Sequence, residues 1–332
     1  MYPPQTLDYH TLDVFTTSPF TGNPLAVILV PSYLTPVLSQ TTKQLLAREF
    51  NYSETTFLHL PAPSSHRVPP PTTPPSADQQ DMPEWRLDIF LTTAEVPLAG
   101  HPVIGTAVWA LLDAGRRKGV FVTRAGRVEL EMDEAGRVTA GIPHRVHLHE
   151  RFGFGAGELA RQQPGLAEVL GGRLEEVGSA VRTLSIVRGM TFVFVRLPDV
   201  EALASVELFA EKLRSEELDQ GWGEGVLMMM FYVVVGEEGG VTRLRTRMVE
   251  GMFEDPATGS ASCGLGCLLS INEGLEGEGT RRFEMTQAVE MGRKSEIGVE
   301  VEVGGGEIKQ VRLKGTAVEI MKGSVRYEQM AM

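Results

Sequence analysis

The chain has 332 residues, 42% of them hydrophobic, 22% charged and with a formal net charge of −12. That length and apolar content suffice for one large domain or two of ordinary size, and the charge fraction argues against global disorder. The acidic balance argues against a general nucleic-acid or membrane-surface binder, which needs clustered Lys and Arg.

In chain order, Tyr9–Phe15 alternates with β-formers and reads as a strand, the turn-rich segment Ser18–Pro24 follows, and Leu25–Val30 reads as a second strand. Helical spacing of Leu38, Leu45 and Leu46 predicts a helix over Thr35–Phe50, and residues 51–58 return to strand. From Pro61 to Pro83 eight of 23 residues are proline, with only Val68 and Met82 as large apolar groups. Such a run buries too little surface to offset its ordering entropy, so residues 61–83 are expected to form a flexible insert. A strand over Trp85–Leu91 leads to Ala99-Gly100-His101-Pro102 and a helix from about Val103 to Ala114. Strands are expected at Gly119–Arg124, Arg127–Met132 and Arg137–Ile142, and beyond residue 150 at Thr183–Val187, Thr191–Leu197, Val226–Val235 and Leu244–Val249, with a helix near Val200–Arg214. Further strands (Gly298–Val303, Gln310–Leu313, Ala317–Met321, Ser324–Tyr327) close the chain.

No stretch approaches the ~20 apolar residues of a membrane helix. The first residues lack a basic segment followed by an apolar run, so a cytoplasmic protein is expected. Cys263 and Cys267 sit four apart in one predicted helix without a second ligand pair, and read as small buried apolar residues. His144, His147 and His149 form H-R-V-H-L-H. A metal site there needs further ligands, and an exposed strand after Pro143 is the simpler expectation. Ser-His-Asp order, the nucleophile elbow, the Walker pattern and the Gly-rich dinucleotide fingerprint are all missing from the sequence.

The informative pattern is an internal echo. Gly100-His101-Pro102-Val103-Ile104-Gly105-Thr106-Ala107 opens one apolar helix, and Asp255-Pro256-Ala257-Thr258-Gly259-Ser260-Ala261 opens another. Proline is tolerated in a first helical turn, where its missing N–H has no intrahelical partner. Helix N-termini present N–H groups and partial positive charge to carboxylates and phosphates, although two ordinary capped helices also explain the pattern. Three ionisable residues stand out. Glu54 lies in a neutral strand segment, where burial would raise its pKa, although a strand glutamate taken alone more often faces solvent. His101 precedes a helix, as a loop hydrogen-bonder or a proton shuttle. Asp255 stands where an N-cap role would account for it.

Together these segments resemble the PhzF-like (phenazine biosynthesis) family. The resemblance rests on Asp13-Val14-Phe15, Phe20-Thr21-Gly22-Asn23-Pro24-Leu25-Ala26-Val27, Ser53-Glu54-Thr55-Thr56-Phe57, the Glu95–Ala107 segment with its Gly-His-Pro, Glu254–Ala261, and Gln287 with Met291-Gly292-Arg293. It implies an α+β, diaminopimelate-epimerase-like fold of two pseudo-symmetric lobes, each with a central helix wrapped by β-sheet. The expected lobes are residues 1–117, to which a strand at about 322–332 returns, and residues 118–321. It also implies an active site between the lobes, a homodimer, and an isomerase that needs no cofactor or metal. The reaction implied is proton transfer on a small cyclic or conjugated carboxylate similar to trans-2,3-dihydro-3-hydroxyanthranilate. Glu54 would move the proton, His101 and Asp255 would hydrogen-bond the substrate, and Gly259 and Ser260 would hold its carboxylate. Ser53, Asn23 and Gly100 are further candidates for the substrate-binding wall. Related epimerases use a pair of thiols, and neither cysteine here matches one. The departures are the proline-rich insert after the Glu54 strand, Phe253 before Glu254, and Lys294 where the family commonly has proline. They leave open an isomerase or cyclase acting on another metabolite, a non-catalytic small-acid binder, or an adaptor working through residues 61–83.

Overall fold

The computed structural model describes residues 5–62, 82–150, 152–209, 213 and 218–328. Most of the proline-rich insert, the end of the helix expected near 200–214 and the last four residues lie outside the described residues. Contacts divide the chain into two units: residues 1–12, 24–140 and 319–332 form the first, and residues 13–23 and 141–318 the second. Residues 118–140 therefore group with the first unit rather than opening the second lobe. Their leading strand pairs directly with a strand of the first unit.

The first unit contains β1 (Gln5–Val14), β2 (Asn23–Val30), α1 (Gln40–Phe50), β3 (Glu54–His59), β4 (Glu84–Leu91), β5 (Glu95–Val96), α2 (Gly100–Asp113), β6 (Lys118–Thr123), β7 (Gly126–Met132) and most of β8 (Val138–Ile142). β1 pairs with β2 and with the last strand of the chain, β18 (Ala317–Tyr327). β2 runs parallel to β3 across the α1 crossover, β3 is antiparallel to β4, and β4 is parallel to β6 across α2. β7 and β8 continue as an antiparallel meander.

Helix α1 starts five residues later than its apolar spacing suggests. Ser39 is the N-cap, its hydroxyl accepting from the Thr42 N–H, and Asn51 closes the helix in the left-handed region at φ 54°. Its inner face is not wholly apolar. Lys43 is fully buried, its ammonium bonded to Asp88 on β4, which also takes His59 Nε2 at 3.0 Å and Arg86 Nε at 3.0 Å. Around this ionic knot Ile28, Val30, Leu38, Leu46, Phe57 and Phe90 form a continuous core.

The second unit contains β9 (His147–Leu148), α3 (Ala156–Gln162), α4 (Pro164–Leu170), α5 (Leu174–Ser179), β10 (Arg182–Val187), β11 (Met190–Arg196), α6 (Val200–Ala204), β12 (Val226–Glu238), β13 (Val241–Glu250), β14 (Phe253–Asp255), α7 (Gly259–Asn272), β15 (Gly279–Gln287), β16 (Ser295–Gly304) and β17 (Glu307–Gly315). β11 is parallel to β12, β12 antiparallel to β13, and β13 parallel to β15 across α7, with β16 and β17 following antiparallel. The central strands are covered on both faces. Val193, Val195, Met229, Phe231 and Val233 meet the α3–α6 layer, whereas Phe192, Phe194 and Leu184 approach α7 near Gly264. Double coverage explains why V-L-M-M-M-F-Y-V-V-V reads as one apolar run instead of an alternation.

The order of pairings in the two units is the same. β2-β3-β4-β6-β7-β8 and β11-β12-β13-β15-β16-β17 carry parallel, antiparallel, parallel, antiparallel and antiparallel joints in that sequence. The helices that follow the third strand, α2 and α7, are each 14 residues long. The short echo in the sequence thus marks a repeat of whole topology. Within it Glu95-Val96-Pro97-Leu98-Ala99-Gly100 corresponds to Glu254-Asp255-Pro256-Ala257-Thr258-Gly259, and β5 and β14 are equivalent short strands folding back on β4 and β13.

Candidate active site

In the first unit Glu54 is the first residue of β3, opposite Leu91 on β4. Its side chain keeps 15% of its exposure, so the carboxyl is enclosed by protein yet still reachable. Burial pushes its pKa up from 4.5 to about 7, and the neighbouring Ser53 hydroxyl offsets part of that rise. No hydrogen bond of ordinary geometry reaches Ser53 Oγ, so burial is the effect that decides.

Helix α2 delivers the second group. It begins at Gly100, three residues earlier than expected, so that His101 and Pro102 lie in the first turn. Ala99, as N-cap, offers no side-chain acceptor to the first N–H groups. His101 is 4% exposed and places Nδ1 3.8 Å from Glu54 Oε2. That distance is too long for a hydrogen bond, and it leaves the two groups side by side. The structure therefore brings Glu54, Ser53, Gly100 and His101 of the predicted set together. Behind them Thr106 on α2 and Thr56 on β3 share a 2.9 Å hydroxyl contact that ties helix to strand.

In the second unit Asp255 ends β14. It is not the N-cap of α7; that residue is Thr258, three positions on, because β14 persists through Asp255 and the helix starts at Gly259. Both Asp255 oxygens are engaged: Asn23 Nδ2 donates to Oδ1 at 2.7 Å, and Thr258 Oγ1 donates to Oδ2 at 2.6 Å. Asn23 also donates to the Ala257 carbonyl, and Gln287 Nε2 donates to the Asp255 carbonyl and to Thr258 Oγ1. Asp255 is thus the centre of a pinned turn that sets the direction of α7. Gly259 is buried and Ser260, its neighbour in the first turn, is half-buried. Ser260 occupies the same topological position in its unit as His101 does in the first.

Two buttresses of this turn were not legible as such. Arg247 on β13 makes a bidentate pair with Glu254 at 2.9 and 2.8 Å and donates to the Val206 carbonyl at 2.7 Å. Arg293 donates to Asp13 Oδ1 at 2.7 Å and to the Gly22 and Thr21 carbonyls, while Asp13 Oδ2 accepts the Phe20 N–H. The Gly292-Arg293 motif therefore holds the loop that carries Asn23. Charge alternation along β13 gives a hint of Arg247, but its partner depends on a hairpin turn visible only in three dimensions.

Cys263 and Cys267 are buried on α7, and burial pushes the Cys267 thiol up to about 12 and Cys263 well above its usual range. They behave as apolar packing residues, as their spacing suggests. Among the described residues no helix is long and apolar enough to cross a membrane.

Comparison with known proteins places these features in a family. The model of the phenazine biosynthesis-like proteins, PhzC-PhzF, matches residues 12–323. The trans-2,3-dihydro-3-hydroxyanthranilate isomerase of Pseudomonas chlororaphis is 26% identical over 96% of this chain and 98% of its own. The crystal structure of a PhzF-family phenazine biosynthesis protein from Bacillus anthracis superposes with a TM-score of 0.71 at 19% identity, covering 97% of this chain and 99% of that one. A hydroxyproline epimerase from Agrobacterium vitis gives 0.52 at 15% identity, covering 97% and 92%. These likenesses agree with the α+β, epimerase-like fold expected from the sequence. The chain belongs to the phenazine biosynthesis-like protein family and is an enzyme of its isomerase class.

Proposed function

We propose that this isomerase moves a proton on a small cyclic or conjugated carboxylate, with Glu54 as the acid–base. The observation that carries the reading is the Glu54 carboxyl at the head of β3, with a pKa raised to about 7 by burial and His101 Nδ1 3.8 Å away. A carboxyl that titrates near neutrality takes a proton from carbon and returns it with little free-energy cost in either direction. In the reaction considered, Glu54 removes a proton from one carbon, the electron pair shifts through the conjugated system, and the protonated Glu54, after exchange of its acidic proton with solvent, delivers a proton to another carbon. Nothing is oxidised or reduced, so a nicotinamide, flavin or metal is not required by the chemistry. His101 would hydrogen-bond the substrate's polar group beside Glu54 and set its protonation.

The start of α7 would bind the substrate's carboxylate. The N–H groups of Gly259 and Ser260 at the start of α7 suit a substrate carboxylate. Asp255 would hold that turn and offer its remaining lone pairs to a substrate donor. Dihydrohydroxyanthranilate is the first substrate to test, because a relative over almost the whole chain is named for it.

The test follows deuterium entry from D₂O by NMR into dihydrohydroxyanthranilate and a panel of related carboxylates, for the wild type and Glu54→Gln side by side. Label at carbon with the wild type alone supports Glu54 as the acid–base and names the substrate class. Equal labelling by both proteins sinks that assignment. Saturable binding of the same compounds without exchange favours a non-catalytic small-acid binder.

A further inference from the structure

The second unit carries a cluster that the proton-transfer chemistry does not use. His147 on β9, His149 just after it and Asp219 in the 218–222 segment bring one ligand atom each within 4.8 Å of one another. His147 Nε2 lies 2.9 Å from Asp219 Oδ2, and His149 Nδ1 lies 3.8 Å from the same oxygen. A tetrahedral zinc ion with bonds of about 2.0–2.1 Å holds neighbouring donor atoms roughly 3.3 Å apart. The two distances to Asp219 Oδ2, 2.9 and 3.8 Å, lie on either side of that spacing.

The surroundings prepare the donors for an ion. His149 is sealed from solvent, and its Nε2 is 2.8 Å from Ser185 Oγ, which in turn contacts Thr191 Oγ1 at 2.5 Å. The Asp219 N–H donates to His149 Nδ1 at 3.3 Å, which makes Nδ1 the unprotonated nitrogen and Nε2–H the donor to Ser185. The lone pair of His149 is therefore turned toward Asp219, whose N–H it accepts, and the Ser185 hydroxyl on the far nitrogen fixes the ring, as an outer partner does for metal-binding histidines. His147 stacks on Trp222, ring centroids 4.4 Å apart and planes 6° from parallel, which fixes the plane of the second donor. The expectation of an exposed strand at His144–His149 fails because β9 has only two residues and pairs with β10 at Ser185, turning His149 inward.

We infer that His147 Nε2, His149 Nδ1 and a carboxylate oxygen of Asp219 form a binding site for a divalent first-row transition ion of the zinc type. Two imidazoles and one carboxylate suit such an ion better than magnesium or calcium, which take oxygen donors. On binding, His147 shifts to the tautomer with its proton on Nδ1 and offers the Nε2 lone pair, Asp219 Oδ2 gives up its hydrogen bond to His147, the Asp219 N–H gives up His149 Nδ1, and a fourth position stays open to water or an anion. The ion would clip the 218–222 segment to β9 and β10. Glu54 supplies none of its donors.

The test is calorimetric titration of the full chain, freed of metal, with ZnCl₂, and Co²⁺ substitution read by its visible absorption. The wild type and Glu54→Gln are expected to bind one equivalent with the same affinity. His147→Gln, at a partly exposed position that folding tolerates, and Asp219→Asn each lose at least about tenfold, and Ser185→Ala loses roughly tenfold through the support it removes from His149. Thermal melts of each metal-free variant check folding. Failure of the wild type to bind Zn²⁺ more tightly than His147→Gln would overturn the inference, as would a Co²⁺ spectrum unchanged by His147→Gln.

Discussion

Glu54 is expected to cost the folded chain stability whenever it is ionised, and replacing it should reveal how much. Its pKa is about 7 in the folded protein, against 4.5 in the absence of burial. Between those values the folded state binds more protons than the unfolded state, so stability falls as pH rises through the window. The interval corresponds to about 3 kcal/mol once both states are ionised, since each pH unit of difference is worth about 1.4 kcal/mol. Glutamine keeps the size of the side chain and cannot ionise. Glu54→Gln should therefore gain about 3 kcal/mol over wild type at pH 8, only about 1 kcal/mol at pH 5, and little below pH 4. Urea unfolding followed by tryptophan fluorescence at pH 5, 6, 7 and 8 reads this directly, as a midpoint difference that grows with pH while the slope stays constant. Trp85 and Trp109 report on the unit that holds Glu54. A Glu54→Gln advantage that is flat across pH 5–8 would refute the claim that burial governs this carboxyl.

Other outcomes follow from the same physical terms. Lys43→Met removes the buried ammonium from Asp88, whose carboxyl burial would raise but which hydrogen bonds from His59 and Lys43, the Lys43 charge and the Arg86 bond together hold far below the usual range. The loss should approach about 3 kcal/mol in urea unfolding, with part recovered in Lys43→Met/Asp88→Asn, and a loss under about 1 kcal/mol would contradict it. Ser260→Asp puts a negative charge in the first turn of α7, where a helix welcomes it and a substrate carboxylate does not. Steady-state kinetics should show a raised KM at nearly constant kcat and thermal stability, and an unchanged KM would remove the α7 start from substrate binding. Cys263 and Cys267, buried with raised pKa values, should stay unreactive toward a thiol reagent in native buffer and both react in denaturant. Stoichiometric labelling of the native protein would contradict their burial.

How much of this was legible in the sequence follows from how local each signal is. The strand of Glu54 and the presence of α2 and α7 are readable because a few adjacent residues carry them, a neutral β-forming run and Gly or Pro near the head of an apolar helix, although both helix starts fall three or four residues from the expected place. Helices α3, α4 and α5 were not, since each spans only six or seven residues. At that length no amphipathic period can establish itself, and packing on β11 and β12 makes the helix rather than propensity. Lys43 on an amphipathic stretch looks like a surface residue; nothing local tells that Asp88, 45 positions on, awaits it. Asp219 stands 70 residues from His149, so the third donor of that cluster is invisible to spacing. For Asp255 the local pattern suggests a capping role that belongs to Thr258, because the sequence does not say where β14 stops. The topological repeat showed only as a thin echo, since most paired positions need only be apolar, and apolar residues interchange freely when size and pattern are kept.

The placement of β18 beside β1 has a bearing on how the protein is made. The first unit draws its sheet from both ends of the chain, so residues 24–140 leave the ribosome long before the strand that completes it. At synthesis rates of about 5–20 residues per second, roughly 10–40 s separate residue 140 from residue 327. During that interval the outer edge of β1 is an unpaired strand on a nascent chain, the kind of edge that recruits strands from neighbouring molecules. The second unit, emerging meanwhile, has most of its own contacts within residues 141–318 and can fold first, reversing the usual order of synthesis and folding.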